Sequence, residues 1–293
     1  MLLNMKTSRR IVSAFILTGF FLLTVFSPAD AAFRHRRPRP AKLQFHHDRA
    51  SGKVVLTWTG GAVLECSAGS SGRFKRLASA RSPFVIEPTS APMQFRAAGG
   101  VVSGNIVGYV NTFLPPGLSL ITNPLLNTTN TVGHLFPTAP DGTQVYLLNG
   151  TNYIVSTFDA VAGAWSNPNL ELLPGDGFFV RNPSSTTFTN IFVGEVLLGT
   201  LVNPLPAGYS LQASMVPQSG WFNSTIHRVP GQPGDRAYKF APAPDGSEGW
   251  IESVFDPVQN QWVPDVFLDV GEGFMIYKQT PQDWVRIFWP WAF

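Results

Sequence analysis

The chain has 293 residues and one cysteine, Cys66, so no disulfide can form within it. A fold of this length must rest on buried apolar cores rather than on covalent staples. Cys66 ends a strand-like run, Val63-Leu64-Glu65-Cys66, with no histidine near it in sequence, and reads as a small buried apolar group rather than a nucleophile. Charge is also sparse: Asp, Glu, Lys and Arg make up 13% of the residues against 44% hydrophobic ones, which describes a globular and not a disordered chain. Only five histidines occur, His35, His46, His47, His134 and His227, and no His-x-x-x-His, Cys-x-x-Cys or His-Glu spacing groups them into a metal set. His46-His47-Asp48 would point to alternate faces of a strand, which argues against one shared ion. His134 and His227 stand in corresponding places before Phe136-Pro137 and Val229-Pro230, where each reads as a turn residue serving its own surroundings. The chain has no P-loop, no dinucleotide-binding glycine pattern and no EF-hand loop. No nucleophile sits beside a base, so neither enzymatic activity nor a cofactor or metal is expected.

Long apolar runs are missing, with one exception. Lys6, Arg9 and Arg10 precede Ile11 to Phe26, which is broken only by Ser13, Thr18, Gly19 and Thr24, and Ala29-Asp30-Ala31 follows. This is the layout of a secretory signal over residues 1–31, cleaved near Ala31. The run falls short of the roughly 20 apolar residues a spanning helix uses, so the mature chain is expected to be exported with no transmembrane segment. The charge then divides unevenly. Residues 32–98 carry 12 Lys and Arg against Asp48, Glu65 and Glu87, a balance of +9, whereas residues 99–293 carry six basic against 14 acidic groups, a balance of −8. An arm over residues 32–41 holds Arg34, Arg36, Arg37 and Arg39, with prolines that keep it extended. Those arginines are candidates for an extracellular polyanion: an acidic polysaccharide, lipid headgroups, or nucleic acid without sequence specificity. The plainer alternatives are a solvated tether or an arm lying on the acidic body.

What the chain has in quantity is turn formers and aromatics: Gly 27, Pro 25, Phe 23 and Trp 8. That pairing predicts short strands joined by tight turns, an all-β fold of sandwich or barrel-like units. Outside the signal no stretch has helical apolar spacing. Residues 42–98 give five short strand-like runs, each closed by Gly, Pro or Ser, as in a small β-sandwich. Trp58-Thr59-Gly60-Gly61, Leu64-Glu65, Gly72-Arg73-Phe74, Ser82-Pro83-Phe84 and Phe95-Arg96 resemble a fibronectin-like accessory segment of exported bacterial proteins. Gly99 to Asn105 reads as a linker.

The remainder repeats itself over residues 105–198 and 199–293. Leu114-Pro115-Pro116-Gly117-Leu118-Ser119-Leu120 returns as Leu205-Pro206-Ala207-Gly208-Tyr209-Ser210-Leu211 at an offset of 91. Ser156-Thr157-Phe158-Asp159 and Trp165 return as Ser253-Val254-Phe255-Asp256 and Trp262 at 97, and Gly175-Asp176-Gly177-Phe178-Phe179-Val180 returns as Gly271-Glu272-Gly273-Phe274-Met275-Ile276 at 96. Order is kept and the offset drifts only where a loop has grown, so a tandem, pseudo-symmetric pair of β modules is expected. Within each, strands are expected near 118–123, 144–148, 153–158, 170–173, 178–181 and 188–193, with a tight hairpin at Asn149-Gly150. Gly117-Leu118-Ser119-Leu120 with Asn123-Pro124, and Gly175 to Phe179, resemble the phrases of exported bacterial surface proteins built from duplicated β modules. That class carries no assigned activity, so the resemblance implies fold and location only.

Acids present in both copies, Asp159 with Asp256 and Asp176 with Glu272, are expected to cap backbone N–H groups at turns, because an active site normally occurs once. Six of the eight tryptophans lie in the second copy. Trp262 should fill a core as Trp165 does, while Trp221 and Trp250 fall in glycine-flanked loops without aromatic counterparts and are candidate contacts for the face of a sugar. The alternating tail Val285, Ile287, Trp289, Trp291 and Phe293 is what the last strand of an outer-membrane barrel looks like, but Pro290 interrupts it and the first copy holds the same strand internally. The sequence thus points to a secreted or cell-surface structural or adhesive β protein, with a carbohydrate-binding module as the alternative.

Overall fold

A computed structural model describes residues 42–59, 61–68, 73–89, 91–99, 101–102, 104–241 and 249–289. The segment read as a signal, the basic arm with Arg34, Arg36, Arg37 and Arg39, and the tail beyond Trp289 lie outside these residues, and the described residues cluster as one compact unit.

The architecture is all-β, as the turn-and-aromatic composition predicts. The front part contributes β1 (Gln44–Asp48), β2 (Lys53–Thr57), β3 (Val63–Ala68), β4 (Lys75–Arg76), β5 (Phe84–Ile86), β6 (Met93–Gly99) and β7 (Val101–Val102). The first half of the remainder holds β8 (Val107–Leu114), β9 (Gly117–Ile121), a single helical turn α1 (Val132–Leu135), β10 (Gln144–Asn149), β11 (Asn152–Asp159), β12 (Ala164–Trp165), β13 (Phe178–Asn182) and β14 (Phe188–Glu195). The second half holds β15 (Gly199–Leu205), β16 (Gly208–Ala213), β17 (Gly220–Trp221), β18 (Arg236–Phe240), β19 (Trp250–Asp256), β20 (Gln261–Val263), β21 (Phe267–Leu268), β22 (Gly273–Lys278) and β23 (Gln282–Phe288).

The front part is not set off by a linker. Its β1-β2-β5 sheet faces a second sheet ordered β14-β8-β6-β3-β4, in which β6 pairs with β8 through Met93↔Tyr109 to Phe95↔Val107. Gly99 pairs with Val101 and Ala98 with Val102 between β6 and β7, so part of the stretch expected to be a linker is sheet. Asn105 closes the joint: its side chain accepts from Leu43 N (3.1 Å) and donates to Leu43 O (2.8 Å) and Glu195 Oε1 (2.9 Å). The reason is area. The core around Leu56, Trp58, Leu64 and Phe95 is completed by Val107, Tyr109 and Val193 of β8 and β14, which a separate unit of this size would have to supply alone.

The two halves have the same strand order. The first has a five-stranded antiparallel sheet, β12-β11-β10-β13-β9, over a ribbon made by its first and last strands, β8 and β14. The second has β20-β19-β18-β22-β16 over the ribbon β15–β23. Gly150, at φ +62°, makes the two-residue β10–β11 turn. The expected strand near 170–173 is only a Thr131↔Glu171 bridge in the first half and the short β17–β21 pair in the second. Trp165 and Trp262 sit in equivalent surroundings. Each is buried, each lies against a phenylalanine of the preceding strand (Phe158 at 5.2 Å, Phe255 at 5.5 Å), and each donates Nε1–H to a loop carbonyl (Phe136 at 2.7 Å, Val229 at 2.9 Å). Phe178 and Phe274 are both fully buried at matching registers.

Charge is where the halves part. Lys278 and Asp235 form a fully buried ion pair, with Lys278 also donating to Gln282 Oε1 (2.7 Å), at the places where the first half keeps neutral Asn182 and Thr143. The outer face of the β15–β23 ribbon also differs. Val202, Val285 and Ile287 are exposed there, whereas Ile191 and Val193 of β14 lie under the front part. No helix among the described residues is long and apolar enough to cross a membrane.

The halves join by a reciprocal seam. Ile121, at the end of β9, bridges Glu272, and Gln212, near the end of β16, bridges Asp176. Thr122 N donates to Gly271 O (2.9 Å), and Ala213 N donates to Gly175 O (2.9 Å). Each Gly-acidic-Gly segment thus lies against the partner half's strand end. The second glycine is what permits it: a Cβ on Gly177 would stand 2.9 Å from Gln212 N and 3.0 Å from its O, and one on Gly273 would stand 3.2 Å from Ile121 O. Gly177→Ala should therefore lower stability by about 1–3 kcal/mol, and Gly273→Ala by less. Gly104→Ala, with open space around its Cβ position, should leave stability unchanged or slightly raised. Urea denaturation of the three variants checks the order; equal midpoints would contradict the seam.

Candidate functional site

Alternation along a strand places every second residue on one face of a sheet. On the five-stranded sheet of the first half, the register sets Tyr153 and Val155 of β11, Gln144, Tyr146 and Leu148 of β10, and Phe179 and Arg181 of β13 on the face away from Trp165. On the second sheet the same logic gives Trp250 and Glu252 of β19, Arg236, Tyr238 and Phe240 of β18, Tyr277 of β22 and Tyr209 of β16. Because the seam brings the two sheets together, these faces meet. Leu120, Phe179, Leu211 and Phe240 bury one another at the contact.

Around that floor the rings run without interruption from one half to the other. Tyr146 touches Tyr153 (6.1 Å between centroids), and Tyr153 touches Phe179 (6.3 Å). Phe179 crosses the seam to Phe240 (5.6 Å) and Trp250 (6.2 Å). Trp250 continues to Tyr238 (6.4 Å), Tyr238 to Tyr209 (6.4 Å) and Tyr209 to Tyr277 (4.9 Å). Several of these pairs are edge-to-face, the arrangement aromatic quadrupoles favour, so the rings hold each other in place. Tyr209 (53% exposed), Tyr153 (46%) and Trp250 (38%) nevertheless show much of their area to solvent.

Hydrogen-bonding groups flank the rings in both halves. Arg236 pairs with Glu252 (2.9 Å), and the Tyr238 hydroxyl donates to the same Glu252 oxygen (3.1 Å). Burial, and then that carboxylate, push the Tyr238 hydroxyl above its ordinary value, so it stays a donor at neutral pH. In the first half the Tyr146 hydroxyl donates to Gln144 Oε1 (2.7 Å), which also accepts from Arg181 (3.4 Å). The result is a lane of rings, exposed at Tyr153, Trp250 and Tyr209 and buried at Phe179 and Phe240, edged by guanidinium, carboxylate, amide and phenol groups.

Of the tryptophans singled out from the sequence, Trp250 lies in this lane and Trp221 does not. Trp250 opens β19 rather than lying in a loop, and its register partner in the first half is Tyr153, so it does have an aromatic counterpart. Trp221 pairs with Phe267 across β17–β21, its ring 5.2 Å from that ring, and is 50% exposed. Trp221 and Trp250 thus belong to separate ring clusters. Tyr146, Tyr153, Tyr209, Tyr238 and Tyr277 were missed because a lane assembled from two sheets has no spacing in one stretch of sequence. The alternation of Tyr146 with Leu148 and of Tyr238 with Phe240 was the available signal.

The shared acids behave as caps. Asp159 accepts from Val161 N (2.8 Å) and Ala162 N (2.9 Å), and Asp256 from Val258 N (2.8 Å) and Gln259 N (3.2 Å). Asp176 accepts from Leu173 N (2.9 Å) and Glu272 from Asp269 N (2.8 Å), with Lys239 adding an ion pair to Glu272 (2.8 Å). Burial raises the Asp176 carboxyl. Cys66 is half-buried, and burial pushes its thiol up. Among the described residues no group of three or more His, Cys, Asp or Glu is placed to hold a metal ion. His46 is exposed and His47 half-buried on opposite faces of β1. Comparison with protein-family models, with curated proteins and with solved structures finds no match to the chain.

The two histidines of corresponding sequence position have unlike surroundings. Arg49 donates to the carbonyl of His134 (2.9 Å) and approaches its Nδ1 (3.1 Å). His227 is fully buried beside Trp284, with no protein partner for either ring nitrogen. Burial, with Arg286 adding repulsion, holds the His227 ring at about 3. The folded value lies below the unfolded one, so the unfolded chain takes up a proton first as pH falls. The stability from this site is whole above about pH 6.5 and is lost toward pH 3, at roughly 1.4 kcal/mol per pH unit. His227→Leu should flatten the acid limb of thermal stability across that window; an unchanged slope would show that the ring already carries a proton in the folded protein.

Proposed function

We propose that this chain is an exported, non-catalytic adhesive β protein built from two copies of one module, residues 105–198 and 199–293, and that its adhesive surface binds polysaccharide along the aromatic lane. The carrying observation is the unbroken series of rings from Tyr146 to Tyr277, crossing the seam at Phe179 and Trp250. Sugar rings have apolar C–H faces and hydroxyl edges. A lane of flat rings with amide, carboxylate and guanidinium groups beside it complements both, and the ring-to-ring packing lowers the entropy lost on binding. An extended chain matches a lane better than a small molecule does, since successive sugars can stack on successive rings.

Export rests on the arrangement of Lys6, Arg9, Arg10, Ile11 to Phe26 and Ala29-Asp30-Ala31. The absence of catalysis is supported by what the acidic groups and histidines do: Asp159, Asp176, Asp256 and Glu272 cap turns, His134 is held by Arg49, and His227 is walled in. Among the described residues the side chains of these six hydrogen-bond to no hydroxyl or thiol.

Trp250→Ala and Tyr153→Ala should each weaken binding to the polysaccharide recognised on an array by about tenfold, the loss of roughly one stacking contact. Trp221→Ala should leave that binding in place. Affinity electrophoresis of the three variants, with thermal denaturation as the folding control, checks this. Loss of binding in Trp221→Ala alone would move the site to the Phe267 ring pair, and no binding by the intact protein to any polysaccharide would end the proposal.

A further inference from the structure

A second recognition site lies away from the aromatic lane. Between β1 and a wall made by α1, the loop before it and β14, the surface opens into a cleft of about 880 Å³, within the size range of small-molecule sites. β1 is the edge strand of its sheet, and the continuous stretch from Lys42 to Ala50 forms one side.

The chemistry in the cleft is one-sided. Lys42, His46, His47, Arg49 and His134 line it, against the two carboxylates Asp48 and Glu195. Both carboxylates are already engaged. Asp48 accepts from Ala50 N (3.1 Å) and Ser51 Oγ (2.6 Å), and Glu195 accepts from Asn105 Nδ2 (2.9 Å). Neither Lys42 nor Arg49 forms an ion pair among the described residues. Arg49 uses one guanidinium nitrogen on His134, donating to its carbonyl and approaching Nδ1. A guanidinium only donates, so Nδ1 is the acceptor and the His134 proton sits on Nε2. The Nε2 atom of His47 is buried with no protein partner. The site therefore offers donors in excess of acceptors, two of them on the cationic side chains Lys42 and Arg49, in a partly desolvated recess.

We propose that this cleft binds an anionic group, a carboxylate, sulfate or phosphate ester carried on a polar ligand, with Arg49 and Lys42 as the charged donors and His47 and His134 as neighbours that gain protons when the anion arrives. Burial first, and Arg49 second, hold the rings of His47 and His134 below the ordinary histidine value. An anion between them offsets the Arg49 repulsion and favours the charged rings, so binding takes up protons and tightens as pH falls. Asp48, the acid next to His47 in sequence, is held low by Ser51 and Ala50 and stays ionised across that range. The site is independent of the polysaccharide reading, since it shares no residue with the aromatic lane.

Isothermal titration of the purified protein tests it, with oligogalacturonide, its neutral methyl ester, inorganic sulfate and inorganic phosphate as probes at about pH 7.5 and about pH 5.5. The acidic oligosaccharide should bind and the ester should not, with affinity rising about threefold or more at the lower pH. Sulfate or phosphate matching the oligosaccharide would assign the recognition to the anionic group alone; weaker binding by them would assign part of it to the sugar. Arg49→Gln should weaken binding about tenfold with an unchanged melting temperature, and His134→Gln should reduce the pH dependence. A variant with Arg34, Arg36, Arg37 and Arg39 changed to Gln should keep both the binding and its pH dependence. Equal binding of acid and ester, full affinity in Arg49→Gln, or loss of binding in the arm variant would overturn the proposal.

Discussion

The close approach of two Gly-acidic-Gly segments to two strand ends is the constraint on which the rest of the molecule depends. At Gly177 the backbones of the halves come nearer than a Cβ would allow, at Gly273 a Cβ would be tight, and main-chain hydrogen bonds run across in both directions. Asp176 and Glu272 hold the shape of these segments by accepting from N–H groups three residues earlier. Main-chain hydrogen bonds at the joint, beside the packed side chains of Leu120, Phe179, Leu211 and Phe240, fix the angle between the two sheets.

That fixed angle turns two ordinary sheet faces into one surface. The outer face of a five-stranded sheet usually meets water and carries polar residues. Here the faces are apolar because part of each is buried against the other, at Leu120, Phe179, Leu211 and Phe240. The rings beyond the contact, Tyr153, Trp250 and Tyr209, are left exposed but braced. Separate the halves and the lane ends at Phe179 on one side and at Trp250 on the other. The recess beside β1 arises in a similar way, since the front part shares its sheet with β8 and leaves its own edge strand facing α1 and β14.

Much of the fold was legible in the sequence because recurring phrases mark recurring constraints. Leu114 to Leu120 and Leu205 to Leu211 lie at the same strand junction, Trp165 and Trp262 donate to equivalent carbonyls, and Asp159 and Asp256 cap equivalent turns. The shared phrases did not reveal the ribbon strands β8 and β15, whose sequences VGYVNTFL and GTLVNPL have little in common, because a ribbon packed on different neighbours keeps only its alternation. Gly99 to Asn105 looked like a linker because glycines and short residues also occur where two strands pair, as β6 and β7 do. The glycines of the acidic phrase were read as serving a local turn; their use in the joint depends on a partner segment 35 residues away for Gly177 and 152 for Gly273, which no local pattern encodes. The aromatic lane was half legible. Trp250 was visible by itself, whereas its tyrosine neighbours became a site only when two sheets were set side by side.

Residues of the two halves form one surface across the joint, and Phe179 with Trp250 is the pair that spans it. A double-mutant cycle of Phe179→Ala and Trp250→Ala, followed by urea denaturation, measures this most directly. A coupling free energy of about 0.5–1.5 kcal/mol is expected for rings in edge-to-face contact. Strict additivity of the two substitutions would mean that the halves do not share this face.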